Sequence, residues 1–287
     1  MTGRDVALVT PSYHGDLERC RLLCDTMDAH VAGLTRHVIL VEDADEPLFR
    51  PLAGPRREVV REGDLLPSAF RTVTLRRRMW LARGLPPLRG WHMQQLRRIA
   101  VARHLDEAAL LYCDSDMAFV HSFDVARLWQ GEALRLYRVE DGIHDGLPGG
   151  GAEHREWTAH AYALLGLEPP TFPAPDHINN LVSWRRDYVL DMMGRIESVT
   201  GRPWWRAVAS RRRFSECQIY GAHATLTHLE GHWATPRPLC RTQWGGAAMS
   251  AEALRSFVEE MDEDQVAVGI QSFTNTDPDD LRRVLLS

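Results

Sequence analysis

The chain contains no lysine: all 34 of its Lys+Arg residues are arginine. We read this as a codon bias toward GC-rich triplets, with one chemical corollary, that arginine suits bidentate contact with phosphate. Positive charge is in deficit overall, since 39 acidic residues leave a net charge of −5 and a pI near 6.2. That balance argues against general nucleic-acid binding, which needs a basic surface, and leaves room for a small local basic site. Cysteine is sparse and unpatterned. Cys20, Cys24, Cys113, Cys217 and Cys240 are odd in number and contain no CxxC pair, so reduced thiols in a core are expected rather than a disulfide or zinc framework. The N-terminal residues lack the apolar stretch and small-residue cleavage site of a signal peptide. No apolar run nears the roughly 20 residues that span a bilayer. A cytoplasmic protein is the expectation. Neither a G-x-G-x-x-G nor a Walker A sequence occurs, which counts against a dinucleotide enzyme or a P-loop ATPase.

What is present is a globular α/β pattern over 287 residues, long enough for one large domain or two small ones. Residues 6–10 (VALVT) form a continuous apolar, β-rich run, broken by Pro11-Ser12-Tyr13. Asp16 is placed to cap a helix to about residue 29. Residues 37–41 (HVILV) read as a second buried strand, giving a strand–helix–strand unit with parallel strands. Residues 46–90 are rich in Pro, Arg and Gly, with a short strand near 57–60. Helical periodicity covers 91–105, followed by a strand at 109–113 (ALLYC). Beyond it we expect strands at 134–139, 178–184 and 266–272. Helices are expected at 157–165, 188–199, 203–210, 216–229 and 279–286. A mobile loop is expected at 141–151, which holds five glycines.

The strongest chemical signal is LLYCDSDMAFV. An apolar strand delivers Asp114 and Asp116 to its carboxyl end, where open α/β sheets bind ligands. Strand alternation puts the two side chains on one side. Two converging carboxylates repel unless neutralised, and oxygen ligands of this kind suit Mg²⁺ or Mn²⁺.

This stretch resembles the D-x-D of GT-A glycosyltransferases, and the order of the surrounding segments resembles the retaining, glycogenin-like branch. Trp91-His92-Met93-Gln94-Gln95-Leu96-Arg97-Arg98 stands where that branch has an arginine-bearing helix. Ile178-Asn179-Asn180-Leu181-Val182 partly matches its N-x-G strand, and Ser215-Glu216-Cys217-Gln218 its acidic segment. His228-Leu229-Glu230-Gly231 resembles its H-x-x-G. The segments GWHMQQLRR and RRFSECQIYG also resemble uncharacterised bacterial relatives of the fold. The resemblance covers roughly residues 6–244. It implies a Rossmann-like mixed sheet flanked by helices in a single continuous domain. A nucleotide-sugar-binding half would run from 1 to 120 and an acceptor-binding half from 121 to 287. Asp114, Ser115 and Asp116 would serve the metal and the diphosphate. His232, or else His228, would complete the metal shell.

Around this centre, Thr10, Pro11, Ser12 and Tyr13 follow the first strand, where such enzymes hold the base and ribose; Glu42 or Asp43, after the second, can accept hydrogen bonds there. Turn and cap chemistry explains the same residue types equally well. Gln95 and Arg98, three apart on the pre-D-x-D helix, can share a face toward phosphate, whereas a helix with one inner face cannot aim Gln94 and Arg97 there as well. Glu216 begins a helix after Arg211-Arg212-Arg213, a setting that favours its ionised form. It is the first candidate to deprotonate or orient an acceptor, and Asp176 is the second. The tryptophans of the second half, Trp244 among them, are expected mostly to pack. The expected function is transfer of a sugar from a nucleotide diphosphate donor, UDP-linked first, to a hydroxyl or amine. The alternatives are a catalytically inactive nucleotide-sugar-binding protein of the same fold, or a sugar nucleotidyltransferase.

Overall fold

The computed structural model describes residues 3–74 and 78–286. Its centre is a five-stranded mixed sheet. Strand β1 (Val6–Pro11) leads into helix α1 (Leu17–His30) and returns as β2 (Arg36–Val41). Strands β3 (Arg57–Arg61) and β4 (Ala109–Cys113) and helix α2 (Gly90–Ala100) complete the first part. The sheet order is β3-β2-β1-β4, all parallel, and an antiparallel strand from later in the chain borders β4.

The sequence explains why these strands are apolar throughout. Ala7 and Val9 face a core with Leu96 and Ile99 of α2, whereas Val6 and Leu8 face a second core with Leu23 and Met27 of α1. A period of two on a sheet covered on both faces yields an unbroken hydrophobic run. In β4, Leu110 and Tyr112 take the α2 side and Leu111 and Cys113 the α1 side.

Beyond β4 the chain forms β5 (Met117–Phe119), β6 (Ala133–Tyr137), α3 (Ala152–Leu165), β7 (Leu181–Arg185), α4 (Arg186–Thr200) and α5 (Glu216–Thr227). It continues through β8 (His232–Thr235), β9 (Cys240–Gln243), α6 (Ala251–Glu259), β10 (Ala267–Ile270) and α7 (Pro278–Leu285). β7 is the antiparallel strand beside β4, with Leu181 opposite Cys113. β5 leaves the main sheet and joins β9 and β10 in a second one. β6 and β8 pair in a third. The two halves expected to meet near residue 120 share their core: the largest cluster runs from Ala7 to Ala224. Among the described residues no helix is long and apolar enough to cross a membrane. All five cysteines are free and buried.

Three local expectations are corrected. The glycine-rich stretch 141–151 is not loop throughout but has regular structure at both ends. Val139–Ile143 pairs with Ala174–Asp176, and Gly149, Gly150 and Gly151 hold φ of 64°, 65° and 68° in a tight turn that starts α3, a conformation glycine adopts without a Cβ clash. Residues 251–259, read without a helix, form α6, which buries Leu254. The antiparallel pair Arg71–Thr74 with Arg78–Leu81 likewise carries no clear sequence signal.

The interior of the second half is tightly packed. A Cβ added at Gly221 of α5 would meet the ring of buried His177 at 2.1 Å. Gly221→Ala is expected to cost about 1–3 kcal/mol through overpacking, read as a lower urea midpoint at unchanged slope. An unchanged midpoint would show that the ring has room to move.

Candidate functional site

A cavity of about 480 Å³ opens where β1 and β4 end side by side. This is the point at which the order of the parallel strands reverses, and open sheets leave a crevice there at their carboxyl ends. Pro11, Ser12 and Tyr13 come from the end of β1, Glu42 from β2, and Asp114, Ser115 and Asp116 from β4. Helix α2 forms one wall, the start of α5 another, and Gln271 and Ser272 after β10 enter from the far end of the chain.

Asp114 and Asp116 both line the cavity, but not through strand alternation. β4 stops at Cys113, and a turn closed by Met117 N–H donating to the Asp114 carbonyl reverses the chain. Asp114 keeps the α2 side and accepts from Gln94 Nε2 at 3.1 Å and from Arg98 Nη2. Asp116 turns the other way and accepts from the Ser272 backbone N–H at 2.9 Å. Its second oxygen, Oδ1, is buried with no hydrogen-bond partner. Burial first, and then the Asp114 charge, pushes the Asp116 carboxyl up to about 7.

Asp16 is the residue that the sequence concealed. It looked like a helix cap and holds the N-cap position of α1, yet its side chain makes no cap hydrogen bond. Instead Ser115 Oγ donates to its Oδ2 at 3.4 Å, and burial raises its carboxyl above the ordinary carboxylate range. The lining contains five carboxylates, Asp16, Glu42, Asp114, Asp116 and Glu216, against three guanidinium groups, Arg78, Arg97 and Arg98. Arg98 bridges Asp114 and Glu216, and Arg78 pairs with Glu42. Asp16 and Asp116 are left without an arginine salt bridge among the described residues. The charge of buried Arg19 reaches both carboxylates without an ion pair, and two buried carboxylates with one orphaned oxygen are an environment that a hard divalent cation satisfies.

Gln94, Gln95, Arg97 and Arg98 all line the cavity, which corrects the expectation that one helix face would exclude two of them. Gln94 and Arg98 are one turn apart, Gln95 is adjacent, and the long Arg97 side chain curls toward Glu62. Burial opposes the Arg98 charge, but Asp114 and Glu216 outweigh it and hold the guanidinium protonated well above its usual value. Glu216 therefore has a different partner from the expected arginine run: its Oε1 takes Arg98 Nη1 at 2.8 Å, and its backbone N–H donates to Gln95 Oε1 at 3.0 Å. Arg213 pairs with Glu156, while Arg212 donates to the Pro87 carbonyl. Ser12 Oγ, Gln95 Nε2, Arg98 Nε and Asn180 Nδ2 are further buried polar atoms of the lining with no partner. They offer donors and acceptors to a polar ligand.

Other predicted residues do not line this cavity. Thr10 is fully buried, its hydroxyl 3.0 Å from His37 Nε2. Asp43 accepts from Gly63 N–H. Asp176 is engaged by Gln218 Nε2 at 2.7 Å and Ile178 N–H at 3.1 Å, and burial raises its carboxyl. His232 lies in β8, with its Nε2 2.8 Å from the Tyr220 hydroxyl. His228 sits with Asp191 and His223. Neither histidine lines the cavity with Asp114 and Asp116: each is held by side chains that line no part of it.

Burial holds the His232 imidazole down to about 4. Relative to a His232→Gln chain, the wild type is expected to lose stability as pH falls from about 6.5 to about 4. Over that window the unfolded chain takes up a proton that the folded imidazole refuses, so the unfolded state gains. Urea midpoints of both chains at several pH values measure this; parallel profiles would show that His232 titrates normally.

Aromatic rings frame the mouth. Trp91 and Trp157 lie 5.8 Å apart between centroids, and Trp244, 56% exposed, lines the same opening. Trp244 thus departs from the expected packing role, whereas Trp184 and Trp204 are buried as expected. Asn179, Asn180, Arg78, Gln271 and Ser272 also line the cavity and had not been assigned to the site. Only the Asn pair carried a sequence signal, through the partial N-x-G match.

No curated protein matches this chain. A family profile matches residues 6–286, nearly its whole length and every element that builds the cavity. The chain belongs to the family of unknown function DUF6492.

Proposed function

We propose that this protein is a metal-dependent glycosyltransferase of the GT-A type, acting in the cytoplasm on a nucleotide diphosphate sugar. The supporting observation is Asp116: a buried carboxylate with an unpartnered oxygen, beside Asp114 and Asp16, in a cavity at the switch point of the parallel strands. Asp116, Asp114 and Asp16 would hold Mg²⁺ or Mn²⁺, with Asp16 in the role first expected of a histidine. Such ions keep several positions for water and substrate phosphates. A bound ion supplies charge neutralisation for a departing diphosphate.

The protein's own groups divide the remaining work. Ser12, Tyr13 and Glu42 offer a hydroxyl, a ring face and an acceptor to the nucleoside end. Gln95 Nε2 and Arg98 Nε donate to phosphate or sugar oxygens. Glu216 holds Arg98 in place rather than acting as a free base. Trp91, Trp157 and Trp244 give apolar faces for a sugar or acceptor at the mouth.

A second reading, nucleotide-sugar binding without turnover, draws on one observation: Oδ1 of Asp114 already carries both Gln94 and Arg98. One assay separates the two. Purified protein is incubated with UDP-, GDP- and dTDP-sugars, with Mn²⁺ or EDTA, and free nucleotide diphosphate is counted. Metal-dependent release from one donor establishes the transferase. Thermal stabilisation by nucleotide diphosphate and metal without release favours the binding protein. Neither response sinks both readings.

A further inference from the structure

Away from the cavity lining, α4 and the end of α5 bring together Asp191, His223 and His228. Among the described residues this is the one group of three or more potential metal ligands whose donor atoms all lie within 4.8 Å of one another. Asp191 Oδ2 is 3.0 Å from His223 Nε2 and 2.9 Å from His228 Nε2.

Hydrogen-bond direction assigns the tautomer of His223. The Thr227 hydroxyl donates to the His223 carbonyl, so its oxygen faces His223 Nδ1, at 3.3 Å, as an acceptor. The Nδ1 position then carries the proton and Nε2 the lone pair. The His223 side chain is fully buried, and this Nε2 makes no well-aligned hydrogen bond, its polar neighbour being Asp191 Oδ2 at 3.0 Å. Its lone pair points at a carboxylate oxygen that His228 also approaches. His228 Nε2 already hydrogen-bonds to Asp191 Oδ2, and a cation at this point would take the same three side chains as ligands in place of that proton. The His228 ring is fixed for the purpose, stacked on Tyr188 at 4.3 Å between centroids.

We propose that Asp191, His223 and His228 form a zinc-class metal site that clips α4 to the end of α5, independent of the cavity. Two imidazole nitrogens and one carboxylate are a borderline-soft donor set that suits zinc over magnesium. His228 is 29% and Asp191 58% exposed, so the ion has an entry path and a fourth position open to water. Thr227 orients the buried imidazole from behind, as outer-shell groups of metal-bound histidines do. The ion joins two helices and the turn entering β8, so its expected role is structural.

The test uses tag-free, full-length protein stripped with a chelator and titrated calorimetrically with Zn²⁺ or Mg²⁺ alone. The expected result, beyond any ion taken up by the cavity, is one zinc per chain at this site, bound in preference to magnesium and still present in Asp116→Asn. Tm should rise by about 5 °C at a hundredfold excess over Kd. Asp191→Ala and His228→Ala, both at partly exposed positions, should each lose this binding while melting like the wild type in chelator. Asp116→Asn should keep it. Zinc bound equally by the wild type and both alanine variants would overturn the proposal. So would no binding by the wild type at millimolar zinc, or loss of binding in Asp116→Asn.

Discussion

Arg98→Met is expected to lower the free energy of unfolding by about 3–5 kcal/mol, the typical consequence of stranding a buried charge. The Arg98 guanidinium lies between Asp114 and Glu216, and neither carboxylate has another arginine among the described residues. Methionine keeps much of the volume, so the loss is electrostatic rather than a cavity effect. Glu216 is the more exposed to that loss, since its side chain is 6% accessible against 21% for Asp114. Urea unfolding near neutral pH measures the effect. Adding Glu216→Gln to the same chain should return part of the stability, because one stranded charge disappears. Equal stability of the single and double variants would assign the loss to packing instead.

Asp116→Asn is expected to act in two directions. Metal-dependent release of nucleotide diphosphate should fall by about 10³-fold, the scale on which preorganised charge stabilisation operates. In EDTA the same variant should be more stable than the wild type by about 1–2 kcal/mol. The amide oxygen can keep the Ser272 N–H bond, and the NH₂ replaces the oxygen that now has no partner. It also removes the repulsion from Asp114 that helps raise the carboxyl to about 7. A functional carboxylate held against its own electrostatic preference predicts this trade of stability for activity. A variant no more stable than the wild type in EDTA would show that Asp116 is already satisfied by its protein surroundings. Undiminished release would remove it from the site.

The parts of this molecule that were legible in the sequence are those set by local chemistry. VALVT, HVILV and ALLYC read as buried parallel strands because both faces of the sheet are covered. D-S-D was legible as an acidic strand end for the same reason, an apolar run that ends in acid being a local pattern, and it does line the cavity. What sequence could not supply is the partner of each polar group. Asp16 has the position of a helix cap, and only the fold brings Ser115 and the 271–272 segment beside it. Arg98 read as a candidate phosphate contact and Arg97 as lying off that face, whereas α2 buries both and Asp114 and Glu216 pair with Arg98. His228 and His232 follow a promising motif, but β8 enters a sheet with β6, which carries them to other partners. Trp91, Trp157 and Trp244 meet from three distant segments, which no periodicity announces.

The hydrogen bond from Ser272 to Asp116 spans 156 residues of chain, and this sets a clock on synthesis. At roughly 5–20 residues per second, a ribosome needs about 8–30 s between making one partner and the other. For that interval Asp114 and Asp116 exist in a nascent chain whose α2 and α1 are already made, while the β10 end of the cavity is still missing. Arg98 can neutralise Asp114 throughout that interval, but it can seat Glu216 only in the later part, once residue 216 has been made. The apolar centre of the sheet can therefore form early, whereas the crevice closes only once the 271–272 segment has emerged.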